Sequence, residues 1–397
     1  MRINTALLLF VFYFLANLYG FISFFIQNEL GGDFKGWPIS DTMEYFFSGV
    51  LELSLMVGFY CLISLLSKEK KGLHNFSCGD KITVRLLFSV LVLQVVYFYY
   101  SISTGVGSLS YEGPTVDVGV VKYFFTLFNP DAITLLSLFI CDKNSKKLKS
   151  INIALFVLSN LYRGWVAGAL MSLFVIFLSR QQSIKIKWPK FFIILCVFLA
   201  ISPSVYYVKY VSRGAENISI ESYTKYYSFE TYKEVLSSIA SRFQHISEVY
   251  VLFTHRDELR NAFDNGSFVP MVFDNHIRRQ LSSWFSIEYQ TIGEYSAKYI
   301  LQRPSGGNIH VGILTWFYFG FQLLAIYVLS FVFYVKVFYY FCSRLVPHHT
   351  AKTMLVWFWL LFFMHGWFSS ISIYILSVME IYFFMNLFGT KEDKVER

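Results

Sequence analysis

The stretch LSNLYRGWVAG, Leu158 to Gly168, places Arg163 inside an otherwise apolar run from Ile151 to Leu178. A guanidinium at the centre of a spanning helix costs about 2.5 to 3.5 kcal/mol even on a lenient insertion scale. The lysines around the run resolve the conflict. Lys143, Lys146, Lys147 and Lys149 precede it, and Arg180, Lys185, Lys187 and Lys190 follow it. Both connections therefore belong on the cytoplasmic side, and the run between them must go out and come back as two short helices. At about 1.5 Å per residue each arm crosses only part of a hydrocarbon core of roughly 30 Å. Arg163 then stands at the bend, facing outside at or just below the lipid surface, where water or an anionic headgroup solvates it.

The rest of the chain is read around that hairpin. It has 397 residues, 55% apolar, 20% aromatic and 15% charged, with a mean hydropathy of +0.48. Such a composition excludes an ordinary soluble domain and implies an all-α polytopic membrane protein. The net charge of +8 is what cytoplasmic orienting loops supply, and no nucleic-acid site is read from it. Thr5 to Ile26 is too long for a signal-peptide core and has no clear cleavage site, so it stays as the first helix.

Further runs of spanning length are Tyr45 to Ser67, Arg85 to Ser103, Gly119 to Cys141, Phe191 to Val211, Val311 to Val335 and Met354 to Phe388. Lys68, Lys70, Lys71, Lys81 and Arg85 put the second connection inside. The first connection, with only Lys35, and the third, Thr104 to Val118, with no Lys or Arg, face out. Met354 to Phe388 is too long for one span and splits near Phe368 to Ser372. The expectation is about ten membrane helices (range ten to twelve) with both termini cytoplasmic: residues 1–211 hold helices one to seven, 212–309 a large external loop, 310–389 helices eight to ten and 390–397 a cytoplasmic tail. Cys61, Cys78, Cys141, Cys196 and Cys342 all fall at or towards the cytoplasmic side, so no disulfide framework is implied. No internal repeat, zinc spacing, phosphate-binding glycine loop or nucleophile elbow is present.

The external loop changes in composition. It carries Arg213, Arg242, Arg256, Arg260, Arg278, Arg279 and Arg303 against Lys225, Lys233 and Lys298. The planar guanidinium fork can hold phosphate oxygens bidentately and keeps its charge. The plainer reading is that most of these arginines pair with the loop's own carboxylates. Tyr232 to Arg260 reads as one amphipathic helix, with Tyr232, Val235, Ile239, Phe243, Ile246, Tyr250 and Phe253 on the buried face and Arg242 and His245 on another flank. A second short helix starts near Asp274, burying Ile277, Leu281 and Trp284 and leaving His276, Arg278 and Arg279 elsewhere on its surface. A third runs from Thr291 to about Gln302 and is stopped by Pro304. In RPSGGNIHVGILTWFYFGF, Arg303 to Phe321, Gly306 and Gly307 permit close backbone approach, and His310 stands where the chain re-enters the membrane. An imidazole there can accept a proton near neutral pH, although a lone interfacial histidine is more often a hydrogen-bonded anchor.

Glu52, Asp131 and Glu380 lie inside apolar runs, and Asp131 follows Asn129 and Pro130, which kink or break its helix. Each is either a proton or ion site or is paired with Lys122, Tyr hydroxyls or freed backbone groups. His365 reads as structural. The 44 Phe and 28 Tyr first supply interfacial belts and helix packing.

Two places and the topology carry a resemblance. SNLYRGW is similar to the arginine-glycine bend between two short helices, and GGNIHVGILTWFYFGF to the segment closing the large loop, in the O-antigen polymerases, which are related to O-antigen ligases. His310 and Gly320 match that segment's histidine and later glycine; the family commonly shows the order HN there, where this chain has NIH. The resemblance implies a membrane glycosyltransferase (GT-C-like) architecture in a bacterial inner membrane, with the large loop periplasmic. It implies oligosaccharide repeat units on undecaprenyl diphosphate as substrates, a chain-length regulator as a possible partner, and no metal or other cofactor. Arg163 is then the first candidate for the diphosphate, followed by Arg278 and Arg279 and then Arg242 and Arg303. His310 is the leading general base, with His276 or His245 in reserve. The alternatives are an O-antigen ligase built from nearly the same parts, a flippase or ion-coupled transporter working through Glu52, Asp131 and Glu380, and a structural scaffold.

Overall fold

The computed structural model describes residues 2–68, 80–105, 121–141, 145–163, 219–232, most of 243–303, and 309–388, with short stretches between 172 and 207. Among them five helices are long and apolar enough to cross a membrane: α1 (Thr5–Gln27), α2 (Thr42–Leu66), α3 (Asp80–Thr104, apolar from Lys81), and the two C-terminal helices Phe321–Leu345 and Phe368–Phe388. The protein is an all-α polytopic membrane protein.

Polar caps start these helices as local chemistry requires. Asn4 accepts a hydrogen bond from the Ala6 amide to open α1, and Asp41 accepts from Met43 and Glu44 to open α2. The faces of α1 are sorted for lipid. Ala6, Leu9, Phe10, Tyr13, Asn17 and Phe21 are buried at helical spacing, while Leu7, Val11, Leu15, Ile22 and Ile26 stay exposed. That is the pattern of a helix whose apolar outer face meets acyl chains and whose inner face carries the polar groups.

Shorter helices complete the bundle. The run 119–141 is broken, as Asn129 and Pro130 imply: α4 (Val121–Leu127) ends, Asn129 caps Ala132, and α5 (Pro130–Ile140) begins with proline in its first turn. Next, α6 (Lys146–Tyr162) stops with Arg163 as its C-cap, where the hairpin bend is expected. Its return arm lies largely outside the described residues, as does the run 191–211.

The long C-terminal run divides at residues 364–367, slightly before the expected Phe368 to Ser372. A helix from His348 to Phe358 passes through a π-turn, Trp359–Phe363, reverses, and the last helix begins at Phe368. The helix expected from Val311 starts later. Gly312 and Gly320 take positive φ, Leu314–Phe319 is a 3-10 turn, and the span proper is Phe321–Leu345. The shift has a physical origin, since irregular backbone at this depth is tolerated only where the protein satisfies it, and Glu52 does so.

Two contacts join segments far apart in the sequence. Arg2–Asn4 pairs antiparallel with Ser183–Lys185, forming a two-stranded ribbon. Arg85 at the start of α3 donates to the carbonyl of Phe388 at the end of the last helix.

The described parts of residues 212–309 include segments that pack against the apolar helices. Its expected helix Tyr232 to Arg260 is not continuous, because Gln244 and His245 are non-helical and α7 (Ile246–Thr254) is divided from α8 (Arg256–Asp264) at His255. Helix α7 packs against α2 and the 28–41 connection: Tyr250 bonds Ser40 and the Asp41 amide, Ser247 receives the Gly31 amide, and Arg256 pairs with Glu44 at 2.8 Å. The third loop helix, α9 (Ile292–Tyr299), opens with a Thr291–Glu294 capping box and ends short of Gln302. In the segment after Asp274, Ile277 and Leu281 are exposed rather than buried; Trp284 lies outside the described residues.

Candidate functional site

The first helix carries a buried asparagine, and it organises the centre. Asn17 donates to the Phe243 carbonyl at 2.7 Å and accepts from the His245 amide at 2.9 Å. This pins the non-helical approach to α7 against α1 and brings the His245 ring onto the Tyr13 hydroxyl, which hydrogen-bonds its Nε2. Tyr13 stands about 12 Å along α1 from Thr5 and about 21 Å from Gln27 at 1.5 Å per residue, well inside the span.

Two further histidines arrive from other segments. His310 lies just before the Gly312 turn, and His365 lies in the reversal after the π-turn; the amide of Val311 donates to the His365 carbonyl at 3.3 Å. Ring centroids are 4.1 Å apart for His245 and His365, 4.3 Å for His310 and His365, and 5.5 Å for His245 and His310. One nitrogen from each ring lies within 4.8 Å of the other two. All three side chains are buried, and Trp367 packs over His310 at 5.1 Å. Burial, reinforced by His365, holds His245 well below the usual imidazole range. It is a neutral ring with a lone pair, able to accept a proton or bind a cation.

Two buried carboxyl groups, Glu52 and Glu248, lie within electrostatic reach of Tyr13 at this centre. Glu52, fully buried on α2, accepts the amides of Ile313 (3.4 Å) and Leu314 (3.0 Å), which fixes the turn after His310. Of the alternatives for Glu52, pairing with freed backbone groups is the one realised. Glu248 accepts the Asp33 amide at 3.1 Å through Oε1, while Oε2 has no hydrogen-bond partner among the described residues. Burial, with Asp33 nearby, pushes its carboxyl up to about 8. A crevice with Asp274, Thr291, Gly293, Ile309, Val311 and Gly366 in its walls runs along the residues flanking His310 and His365.

No protein-family model matches the chain, and no curated protein or solved structure matches it either.

The arginines are placed differently from the expectation. Arg163 is not solvated by water or a headgroup. It is 6% exposed, and its fork grips Asp131 through Nη1 to Oδ2 (2.6 Å) and Nη2 to Oδ1 (2.7 Å), with its carbon Cζ 5.2 Å from the Tyr97 ring centroid. A guanidinium enclosed by protein needs a counter-charge, and the break at Asn129–Pro130 supplies one by setting Asp131 in the first turn of α5. Arg303 is also engaged, pairing with Asp33 at 2.8 Å. Arg278 lies over Phe273 on an exposed segment. Arg242, Arg279 and His276 lie outside the described residues.

The structure thus joins His310 to His245 but keeps Arg163 apart from both. Tyr374, within electrostatic reach of Asp131 and Arg163, stacks on Phe362 at 4.9 Å; Phe362 meets Trp367, and Trp367 covers His310. Three aromatic rings separate the two centres. Sequence reasoning missed His365, read as structural, together with Tyr13 and Asn17. The available signal was MHGWF, Met364 to Phe368, where a histidine and a glycine sit at the split of an overlong apolar run.

Proposed function

We propose that the chain is a membrane glycosyltransferase of the O-antigen polymerase kind, with a GT-C-like arrangement of about ten spans in a bacterial inner membrane. In this reading it moves a growing glycan from undecaprenyl diphosphate to a sugar hydroxyl of a new lipid-linked repeat unit at the periplasmic face. The observation that carries it is the convergence of His310, the leading candidate base, and His245, a reserve candidate more than sixty residues earlier, on one buried centre.

In that reaction the acceptor hydroxyl gives its proton to an imidazole nitrogen, for which His310 is the first choice. The hydroxyl oxygen attacks the anomeric carbon, the bond from that carbon to the diphosphate breaks, and the electron pair leaves with undecaprenyl diphosphate. Fixed guanidiniums offset the leaving charge. Arg278 and the neighbouring Arg279 and Arg242 take that role more readily than Arg303, which is held by Asp33. Arg163 contributes once a diphosphate displaces or shares Asp131. The transporter alternative loses ground because Glu52 is committed to backbone amides and Asp131 to Arg163.

Cells lacking the chain should display a single repeat unit per lipid A core on a lipopolysaccharide gel, and His310→Ala should fail to restore the ladder although the protein inserts. Cores without any repeat would point to the ligase instead. An unchanged ladder in the deletion strain would refute both.

A further inference from the structure

We infer that His245, His310 and His365 form a binding site for one divalent transition-metal ion of the zinc class. Three imidazoles with ligand nitrogens within 4.8 Å of one another need side-chain movement of only about 1.5 Å to reach the nitrogen spacing of roughly 3.3 Å in a tetrahedral zinc site. The three rings come from the approach to α7, the re-entry segment and the reversal before the last helix. No local sequence spacing could bring them together; His245 and His365 are held by backbone bonds of their own, and His310 through that of its neighbour Val311.

Outer hydrogen bonds orient two of the rings as a ligand set requires. His365 Nδ1 meets the Leu360 carbonyl at 3.1 Å and the Tyr13 hydroxyl at 3.4 Å; with its proton directed at the carbonyl, which can only accept, Nε2 keeps the lone pair. At His245 the Tyr13 hydroxyl occupies Nε2, and Nδ1 is buried with no hydrogen-bond partner among the described residues. When Tyr13 accepts from Nε2–H, the lone pair falls on that unpartnered Nδ1. Leaving such a nitrogen buried without a partner costs about 1 to 3 kcal/mol, and an ion relieves the cost.

Two buried carboxyl groups, Glu52 and Glu248, lie within electrostatic reach of Tyr13, which contacts two of the rings. The all-nitrogen donor set suits zinc, copper, nickel or cobalt and disfavours magnesium and calcium, which take oxygen. The inference stands apart from the transfer reading, although the two meet at His310. A ring nitrogen bound to an ion cannot take a proton, and an ion-bound hydroxide would accept the acceptor's proton instead, becoming water.

The test uses the full chain, purified without a polyhistidine tag into lipid nanodiscs, incubated with excess zinc sulfate and desalted. Elemental analysis should find about one zinc per chain, and less than a tenth of that in His245→Gln, His310→Gln or His365→Gln, checked for folding by gel filtration. X-ray absorption on the zinc-loaded wild type should show three nitrogen donors at about 2.0 Å, an outcome that needs no variant to fold. Wild type retaining no more zinc than the triple variant, or an oxygen- or sulfur-dominated shell, would overturn the proposal. The glycan ladder is scored separately, so failure of one reading leaves the other measurable.

Discussion

Replacing Asp131 with Asn keeps its shape and removes the charge that holds Arg163. The two bonds of the pair are 2.6 and 2.7 Å, and the side chains are unequally hidden, 7% exposed for Arg163 and 27% for Asp131. With the charge centres about 4 Å apart, the attraction is about 4 kcal/mol at an effective dielectric constant near 20. Removing one member of a buried pair costs roughly 3 to 5 kcal/mol, because the survivor is stranded. Asp131→Asn strands the better buried partner, a guanidinium that cannot neutralise itself. Arg163→Ala strands a carboxylate that is partly wet and can protonate. The expected costs are therefore about 3 kcal/mol for Asp131→Asn and about 2 kcal/mol for Arg163→Ala.

The assay is unfolding in mixed micelles titrated with dodecyl sulfate, run as a double-mutant cycle with Asp131→Asn, Arg163→Ala and the pair. The coupling should be about 3 kcal/mol, with the double variant close to the Arg163→Ala single. Arg163→Lys keeps the charge and loses the fork, so it should recover only part of the stability. An Asp131→Asn protein within about 0.5 kcal/mol of wild type, or an Arg163→Ala cost larger than that of Asp131→Asn, would refute the reasoning. Either result would mean that Arg163 is solvated from outside the pair, as the sequence alone suggests.

Glu248 gives a pH dependence with a fixed sign. Its carboxyl sits at about 8 in the folded protein against an ordinary 4.5, so the stability it contributes is full below the unfolded value and falls as pH rises towards 8. Asp33, itself paired with Arg303, and Tyr13 are the charged or titratable groups that face it. Wild type should lose roughly 4 kcal/mol of stability between pH 5 and 8 through this group, and Glu248→Gln should flatten that part of the profile; an unaltered slope would remove the carboxyl from the account. Gly312 has φ +67°, and an added Cβ would meet Val249 Cγ2 at 2.3 Å. Gly312→Ala should therefore lower stability by about 2 kcal/mol or more, and a thermal melt matching wild type would show that the turn after His310 is not built this way.

The ends and breaks of helices were legible where a single residue type dictates them. Asn129 and Pro130 announce the split between α4 and α5, and Thr291 and Glu294 announce the capping box. The start of the last helix was misplaced by a few residues because Trp359 to Phe368 is apolar throughout, and periodicity cannot locate a reversal in a uniform run. His245 was assigned to the polar flank of a continuous helix. The break at Gln244–His245 depends on Asn17, more than two hundred residues earlier, and no local pattern reports such a partner. The Arg163–Asp131 pair was hidden for the same reason. Each charge was recognised as costly in its own segment, and only the packing of α5 beside α6 shows that one offsets the other.

The irregular backbone points follow one rule, and the rule bears on where chemistry can occur. Non-helical backbone within a bundle survives only if every freed amide and carbonyl finds a protein partner. At Asn129 the side chain caps Ala132; at Ile313 and Leu314 Glu52 accepts both amides; at the 364–367 reversal the His365 carbonyl receives Val311. Each repair commits a side chain or a carbonyl that a continuous helix would leave uncommitted, and each break turns a polar residue inward: Asp131 at the first, His310 beside the second, His365 at the third. Glu52 is therefore more consequential as a brace than as a proton site. Losing its carboxylate would release the turn that holds His310 against His365, so an effect of Glu52→Gln on activity has to be separated from folding before it is credited to proton transfer.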